Sequence, residues 1–391
     1  MKRQILSTKL TIQSVRPVLL SAVFPPGEGL VWVGGTIESW DAALVEVTLS
    51  DGTTGLGEAG AGIMAAIAVP GLVQAFSPYL IGRSFDHPLS VGDSLRAYTA
   101  FWSRGGIASG VCGAIELAVL DAVGKREAVP AFELLGGLKR NKIEAYASGG
   151  LGTTFEEIDE WAARQVKQGL HTVKFRAMKD PDTTIDLLEH VVRRLPAGTQ
   201  FVLDAVQGSA SHPWEVSDAI RVGEVAQRLG ARWYEEPCFA TDTAGYAQVQ
   251  NALSVTVSGV ESHGTVGEFA ELIESKGVRL AQPDATFVGG AANFHRVADI
   301  AQANGVMCVP HTWGSGVTFA ANLHAALSHE HVELFEYCTL PNPLRESLLV
   351  EPIRLEDGFI VAPSQPGFGV HLDALLEERF RFQPGAGHVI S

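Results

Sequence analysis

The feature that most constrains this chain is the rhythm of its last two-thirds, where short apolar runs alternate with amphipathic stretches every 23 to 31 residues or about that. Eight runs can be placed, at 143–148, 171–176, 200–204, 232–235, 255–260, 279–282, 305–310 and 332–336. Each interval holds one strand and one helix, and eight such units close on themselves as a parallel barrel. The expected fold class is therefore α/β, with a barrel catalytic domain over 141–362. Ahead of it, 11–18, 42–50 and 53–58 read as strands, the last two joined by Asp51-Gly52 as a hairpin. The segment 111–123 reads as a helix with Val111, Ile115, Ala118 and Ala122 on one stripe. An α+β unit is expected over 1–140. The tail, 363–391, has no place in either count and is expected to pack back on that first unit.

Composition agrees with two domains and narrows the partners. With 391 residues, 46% of them hydrophobic and 19% charged, the chain can bury a large core and is not a disordered or fibrous protein. A formal net charge of -15 argues against a nucleic acid or an anionic membrane as the main partner, so a small-molecule carboxylate substrate is expected. Cys112, Cys238, Cys308 and Cys338 form no C-x-x-C pair and read as buried, reduced thiols of a cytoplasmic protein. No apolar run of about 18 residues is read as a signal or a membrane span. A homo-oligomer is expected.

A barrel gathers its functional groups at the C-terminal ends of its strands. Those ends carry Lys174 with Arg176, Asp204, Glu235 with Glu236, Glu261, Asp284, His311 and Glu336. Any one such residue is more often a helix cap or half of an ion pair. Ionisable groups at seven consecutive strand ends would repel one another unless something binds between them. Asp204, Glu235 and Glu261 belong to neighbouring strands, and an all-oxygen donor set favours Mg²⁺. The first strand ends Ser148-Gly149-Gly150, without the paired histidines that a zinc barrel needs. Lys174 and Arg176, two apart on a strand, share a face. Asp284 would fix the tautomer of His311 and stabilise its protonated form, as a general base requires. Removing a proton beside a carboxylate builds an enediolate, which Mg²⁺, Lys174 and a protonated Glu336 would stabilise from different sides.

Several ordered segments carry a resemblance over nearly the whole chain. They are Ala114-Ile115-Glu116-Leu117-Ala118 through Asp121, Leu134-Leu135-Gly136-Gly137, Val173-Lys174-Phe175-Arg176, Val202-Leu203-Asp204-Ala205, Tyr234-Glu235-Glu236-Pro237, Gly259-Val260-Glu261-Ser262, Gln282-Pro283-Asp284, Pro310-His311-Thr312-Trp313-Gly314 and Leu334-Phe335-Glu336-Tyr337. In these the chain resembles the mandelate racemase and muconate lactonizing enzyme family of the enolase superfamily, in its mandelate racemase branch. The resemblance implies a (β/α)7β-type TIM barrel with an N-terminal α+β capping domain completed by the C-terminal tail. It also implies Asp204, Glu235 and Glu261 as Mg²⁺ ligands, Asp284 and His311 as the basic dyad, Lys174 on the substrate carboxylate and Glu336 on the enediolate.

Two positions depart from the family pattern. Arg176 replaces the lysine that usually serves as the second base, and because arginine stays protonated this argues against a two-base racemase or epimerase. Val206 stands where the family often has an asparagine, and Gln207 is the expected substitute. With one base, His311, the expected reaction is dehydration of a sugar acid to a 2-keto-3-deoxy acid. The alternative is a cycloisomerase of a lactone or anhydro sugar acid, with a sugar-acid binding protein without turnover behind it. The segment 21–35, with Pro25, Pro26 and four glycines, reads as a lid loop that offers Phe24 and Trp32 as substrate covers. Glu236 and Trp313 are further expected substrate contacts, while His171, His212 and His263 receive no role.

Overall fold

Strand Leu10–Val23 runs antiparallel to Ser39–Leu49, which turns at Gly52, where φ is +88°, and pairs with Thr54–Glu58. This computed structural model describes residues 9–32, 35–152, 154–385 and 388–390. Positions 1–8 of the capping unit, 33–34 of the lid segment, 153, and 386–387 and 391 of the tail lie outside the described residues.

Helix Gly106–Arg126 lies across the capping sheet, and Gly57 allows the contact: a Cβ there would sit 1.9 Å from the carbonyl oxygen of Ala114. The single apolar stripe expected for this helix is too narrow a description. Every residue from Ser109 to Gly124 is buried, because sheet, barrel and tail enclose the helix on all sides. The expectation that no run is long and apolar enough to span a membrane is likewise corrected. Gly106–Arg126 and Gly62–Tyr79 both reach that length, with mean hydropathy 1.7 and 1.3, but 83% of the first is buried inside the fold, as in a core helix.

The barrel has eight strands, Lys142–Ser148, Thr172–Arg176, Gln200–Asp204, Tyr234–Glu235, Val257–Gly259, Leu280–Ala281, Met307–Cys308 and Leu334–Cys338, with an α-helix in each of the seven intervals. Neighbours from the first strand to the seventh are parallel, and the eighth returns beside the first, Glu336 opposite Tyr146. The sixth and seventh strands stop earlier than their apolar runs because Pro283 and Pro310 have no N–H to continue the ladder. Inside the barrel, Tyr146, Val202, Trp233, Leu280, Val309 and Leu334 form a buried plug. Two residues further along the same strands stand Ser148, Asp204, Glu235, Gln282, His311 and Glu336. The strand period of two thus stacks a polar layer directly on an apolar one.

The tail touches the first strand of the capping unit. Glu377 pairs with Arg16 at 2.8 Å, and the Ser21 amide donates to the Phe380 carbonyl at 2.9 Å. The lid is not the loop that its prolines and glycines imply. The first strand continues to Val23, and Leu30–Trp32, Gly35–Ile37 and tail strand His388–Ile390 form a small antiparallel sheet. A hairpin of Leu355–Glu356 and Phe359–Val361, which the sequence did not signal, pads the first barrel strand.

Candidate active site

The polar layer is built around one cation. Lys174 Nζ lies 2.6 Å from Glu235 Oε1, 2.6 Å from Glu336 Oε1 and 3.4 Å from Asp204 Oδ2, with no solvent exposure. Burial alone would lower the lysine pKa, but Glu235 and Glu336 outweigh it and hold the ammonium well above its ordinary range. Arg176 pairs with Asp204 and lies over the Trp313 ring, 4.7 Å from its centroid. Burial works against its charge too, yet Asp204 and Glu261 more than compensate and raise its pKa.

Each acid is oriented by a specific donor. Asp204 Oδ1 accepts the Val206 amide at 2.8 Å, Glu235 Oε2 accepts Trp233 Nε1 at 3.0 Å, and Glu336 Oε2 accepts the Thr312 amide at 2.8 Å. Burial pushes Glu235 up to about 7 despite Lys174. For Glu336 burial also acts upward, but Lys174, His311 and Arg176 together hold it well below the usual carboxylate range. The expected protonated Glu336 is therefore corrected: ringed by donors, it is an ionised acceptor in this arrangement. Glu261 is the least confined of the acids, with 26% of its side chain exposed and Oε2 without a hydrogen-bond partner. Left-handed backbone marks three positions beside these acids, Val206 (φ 54°), Glu236 (φ 46°) and Val260 (φ 64°). Such a conformation costs a non-glycine residue about 1 kcal/mol or more, most of all a valine, so the loops are held against local preference where the acids emerge.

Asp284 and His311 are hydrogen-bonded to each other. Asp284 Oδ1 is saturated by the Thr286 amide at 2.8 Å, Thr286 Oγ1 at 2.7 Å and Asn322 Nδ2 at 2.8 Å, which leaves Oδ2 for His311 Nδ1 at 2.9 Å. A carboxylate partner requires Nδ1–H to donate, so Nε2 is the nitrogen that exchanges protons. It lies 3.4 Å from Glu261 Oε1. Burial lowers the His311 pKa, but Glu261 and the Asp284 hydrogen bond overcome it and raise it to about 10.

Over this layer opens a cavity of about 320 Å³, lined on its ionic side by Arg176, Glu261 and His311 and elsewhere by Trp32 and Trp313 among others. Trp32 and Trp313 both line the cavity, and Trp313 Nε1 also reaches Ser148 Oγ at 3.1 Å and Glu336 Oε1 at 3.3 Å. Two expected substrate contacts do not line the cavity. Phe24 packs on Trp40 at 6.3 Å between centroids, one ring removed from Trp313, because it directly follows the first strand, which ends at Val23. Glu236 is turned beneath the loops, where a Cβ on Gly208 would lie 2.4 Å from its Oε1, and burial with Glu261 and Asp204 raises its pKa well above normal. Gln207 is no substitute for a substrate contact either, since its amide spans the Ala205 carbonyl and the Trp214 N–H.

The three expected metal ligands meet the chemical requirement of a hard cation, all oxygen and from adjacent strands, with one unsatisfied oxygen on Glu261. As they stand, Asp204 and Glu235 are drawn onto Lys174 and Glu261 toward His311. Among the described residues no three acidic, histidine or cysteine side chains are gathered closely enough to hold a metal. Asn322, Thr286 and Trp233 are functional neighbours that sequence reasoning missed. Trp233 was within reach, being two residues before Glu235 on the same strand face, whereas Asn322 sits on a helix and carries no local signal.

Comparison with known proteins places this geometry. A family model described as "Enolase C-terminal domain-like" matches residues 157–376, and one for the "Mandelate racemase / muconate lactonizing enzyme, N-terminal domain" matches 25–136. A D-galactarolactone cycloisomerase from Agrobacterium fabrum is 30% identical over 354 residues, 86% of this chain and 90% of that protein. An arabinonate dehydratase from Saccharolobus solfataricus is 27% identical over 85% of this chain and 89% of its own length. The crystal structure of a racemase from Streptomyces coelicolor A3(2) with bound magnesium superposes with a TM-score of 0.83 at 25% identity, covering 94% of this chain and 99% of that one.

Proposed function

The chain belongs to the mandelate racemase and muconate lactonizing enzyme family of the enolase superfamily, and on that premise we propose that it removes the proton α to a carboxylate and dehydrates a sugar acid to a 2-keto-3-deoxy acid. The observation that carries this reading is the buried His311–Asp284 pair, which turns Nε2 toward the cavity while the groups near it, Lys174 and Arg176, are held charged. With Nδ1 fixed on Asp284, Nε2 is the nitrogen that can accept the α-proton once the proton that Glu261 helps it retain has been given up, and the cluster beside it is built to receive negative charge.

Asp204, Glu235 and Glu261 would hold Mg²⁺, which when bound supplies positive charge where the substrate carboxylate becomes more negative. The chain's own groups do the rest. Lys174 and Arg176 offer charge and donors to the carboxylate, and Glu336, fixed by Thr312 and Trp313, keeps Lys174 aimed. His311 Nε2 takes the C2 proton, and the C–H electron pair moves into the C1–C2 bond to give the enediolate. Collapse of the enediolate breaks the C3–O bond. The imidazolium returns its proton to the departing hydroxyl, which leaves as water, and the enol tautomerises to the 2-keto acid. Asp284 remains the acceptor throughout and stabilises the charged imidazole.

A cycloisomerase would use the same enediolate with a ring oxygen as leaving group, and likeness to the D-galactarolactone enzyme keeps that second reading. Both are tested in deuterated water with Mg²⁺ by following α-proton exchange and product. His311→Asn is expected to lose exchange and elimination together, by about 10²-fold or more. Exchange by that variant near the wild-type rate would overturn the one-base mechanism.

A further inference from the structure

Beyond the ionic side, the cavity changes character. Of the 15 lining residues among those described ten are apolar, and Trp32, Ile37, Ile63, Met64, Leu151 and Phe287 make up most of the far wall. They come from the lid sheet, the segment after the capping sheet, and the loops after the first and sixth barrel strands. A patch assembled from four separate segments is a formed surface, not a stray side chain. Its parts are also fixed. Phe287 lies so close over Gly60 that a Cβ there would be 2.3 Å from two ring carbons, so the capping unit holds this ring in place. Met64 is 57% exposed, apolar area that a ligand would cover. Among the described residues, the polar side chains outside the ionic cluster are Ser209, Ser262 and the indole N–H groups of Trp32 and Trp313, and the lining cations are Arg176 and His311, both on the catalytic side.

We infer that this enzyme takes a monocarboxylic hydroxy acid whose end distal to the carboxylate is apolar, with hydroxyls confined to the carbons next to the reacting centre. The inference rests on the enediolate reading for the position of the carboxylate. A hydroxyl pressed against Ile63, Leu151 or Phe287 would lose its water without gaining a partner, which weakens binding by about tenfold or more. A second carboxylate there would be worse, since it would be desolvated without a cation. An adjoining chamber of about 330 Å³ beyond Trp32 and Leu151 does contain Lys179, so a diacid has one conceivable route, which the experiment addresses.

The test compares acids that share a 2,3-dihydroxy head in each configuration: 2,3-dihydroxyhexanoate, the fully hydroxylated hexonate, and the hexarate. With Mg²⁺ in deuterated water, α-proton exchange gives kcat/KM, and the thermal shift produced by each acid ranks binding independently of turnover. The apolar-tailed acid is expected to lead the hexonate by about tenfold or more and the hexarate by a larger factor. Leu151→Asn is expected to shrink the first ratio at least fivefold, roughly, while leaving the Mg²⁺ requirement unchanged. Equal or better performance by the hexonate or hexarate overturns the inference and leaves the enediolate reading standing, as does an unchanged ratio in the variant. No exchange with any acid overturns the enediolate reading instead, and the order of thermal shifts then decides the wall's preference by itself.

Discussion

Two groups of buried acids divide this molecule, and they differ in what they touch. At the junction between capping unit and barrel, Glu58 accepts Ser315 Oγ at 2.5 Å and the Thr318 amide at 3.0 Å, and Glu116 accepts the Ala292 amide at 2.9 Å and Arg96 at 3.2 Å. Asp121 accepts the amides of Leu56 and Phe368, both at 2.8 Å, and Lys125 at 2.7 Å. At the mouth, Asp204, Glu235 and Glu336 crowd one lysine, and Glu261 keeps an oxygen without a partner. Burial raises the pKa of Glu58, Glu116, Asp121 and Glu235 alike. A shifted acid is thus no mark of function here. The junction acids accept backbone N–H groups from segments far away in the chain, so they fasten; at the mouth Asp204, Glu235 and Glu336 turn one oxygen onto the shared Lys174 and Glu261 keeps one without a partner, so those oxygens can take a new partner.

The sharpest way to break this contrast is to neutralise one acid of each group. Glu261→Gln is expected to cut turnover about 10³-fold, and exhaustive chelation to abolish it until Mg²⁺ is restored. The same variant should lose less unfolding stability than Asp121→Ala at the junction, because Oε2 has no partner and Oε1 faces only His311, at 3.4 Å. Activity that survives chelation would remove the metal assignment and with it the distinction.

Asp121→Ala should give the opposite pattern. It strands two backbone N–H groups and a lysine, for a loss of about 3 kcal/mol in denaturant unfolding. Turnover per folded molecule is expected to stay within about threefold. A variant as stable as wild type would show that the junction acids do not fasten the two units.

Much of this was legible in the sequence because strand periodicity is strict. Once Asp204, Glu235, His311 and Glu336 are placed at strand ends, the residues two before them, Val202, Trp233, Val309 and Leu334, must form the plug below, and they do. The pairing of Asp284 with His311 was read from the same strand ends. What failed depended on long-range contacts. The lid's prolines and glycines read as a loop, but pairing with Gly35–Ile37 and the tail strand makes it a sheet. Phe24 read as a cover from its place in the lid segment, though the strand before it runs on to Val23 and Phe24 packs against Trp40. Glu116 and Asp121 were visible as a motif, but their partners, Ala292 and Phe368, lie 176 and 247 residues away.

A smaller effect tests whether the dyad owes its behaviour to the same exchangeable setting. Asp284→Asn keeps the shape but can present an amide N–H toward His311, which favours the wrong tautomer. Exchange of the α-proton should fall about 10²-fold, with stability nearly unchanged. If instead exchange persists and the protein is destabilised, Asp284 belongs with the fastening acids.

The smallest effect comes from the histidines, which repeat the contrast. His311 at the mouth is raised to about 10, whereas His324 at the junction is lowered to about 3 by burial, its Nδ1 accepting the Phe132 amide at 3.1 Å between the rings of Phe132 and Phe368. Because the folded pKa of His324 lies below the unfolded value of about 6.5, the unfolded chain takes up the proton first as the pH falls. Its stabilising contribution is therefore complete above that value and is lost progressively toward about 3. At pH 5 the loss is about 2 kcal/mol, from about 1.4 kcal/mol for each pH unit. The junction acids act in the reverse sense, since a raised carboxyl pKa favours the folded state as the pH falls, and His295, lowered to about 4, adds to the loss. Both contributions cancel when wild type is compared with His324→Gln, whose side-chain oxygen can accept the same amide. Between pH 7 and pH 5 wild type should lose about 2 kcal/mol more than this variant in urea unfolding. Parallel pH profiles would mean that His324 titrates as it does in the unfolded chain, and that the junction is not the closed, fixed environment that separates it from the mouth.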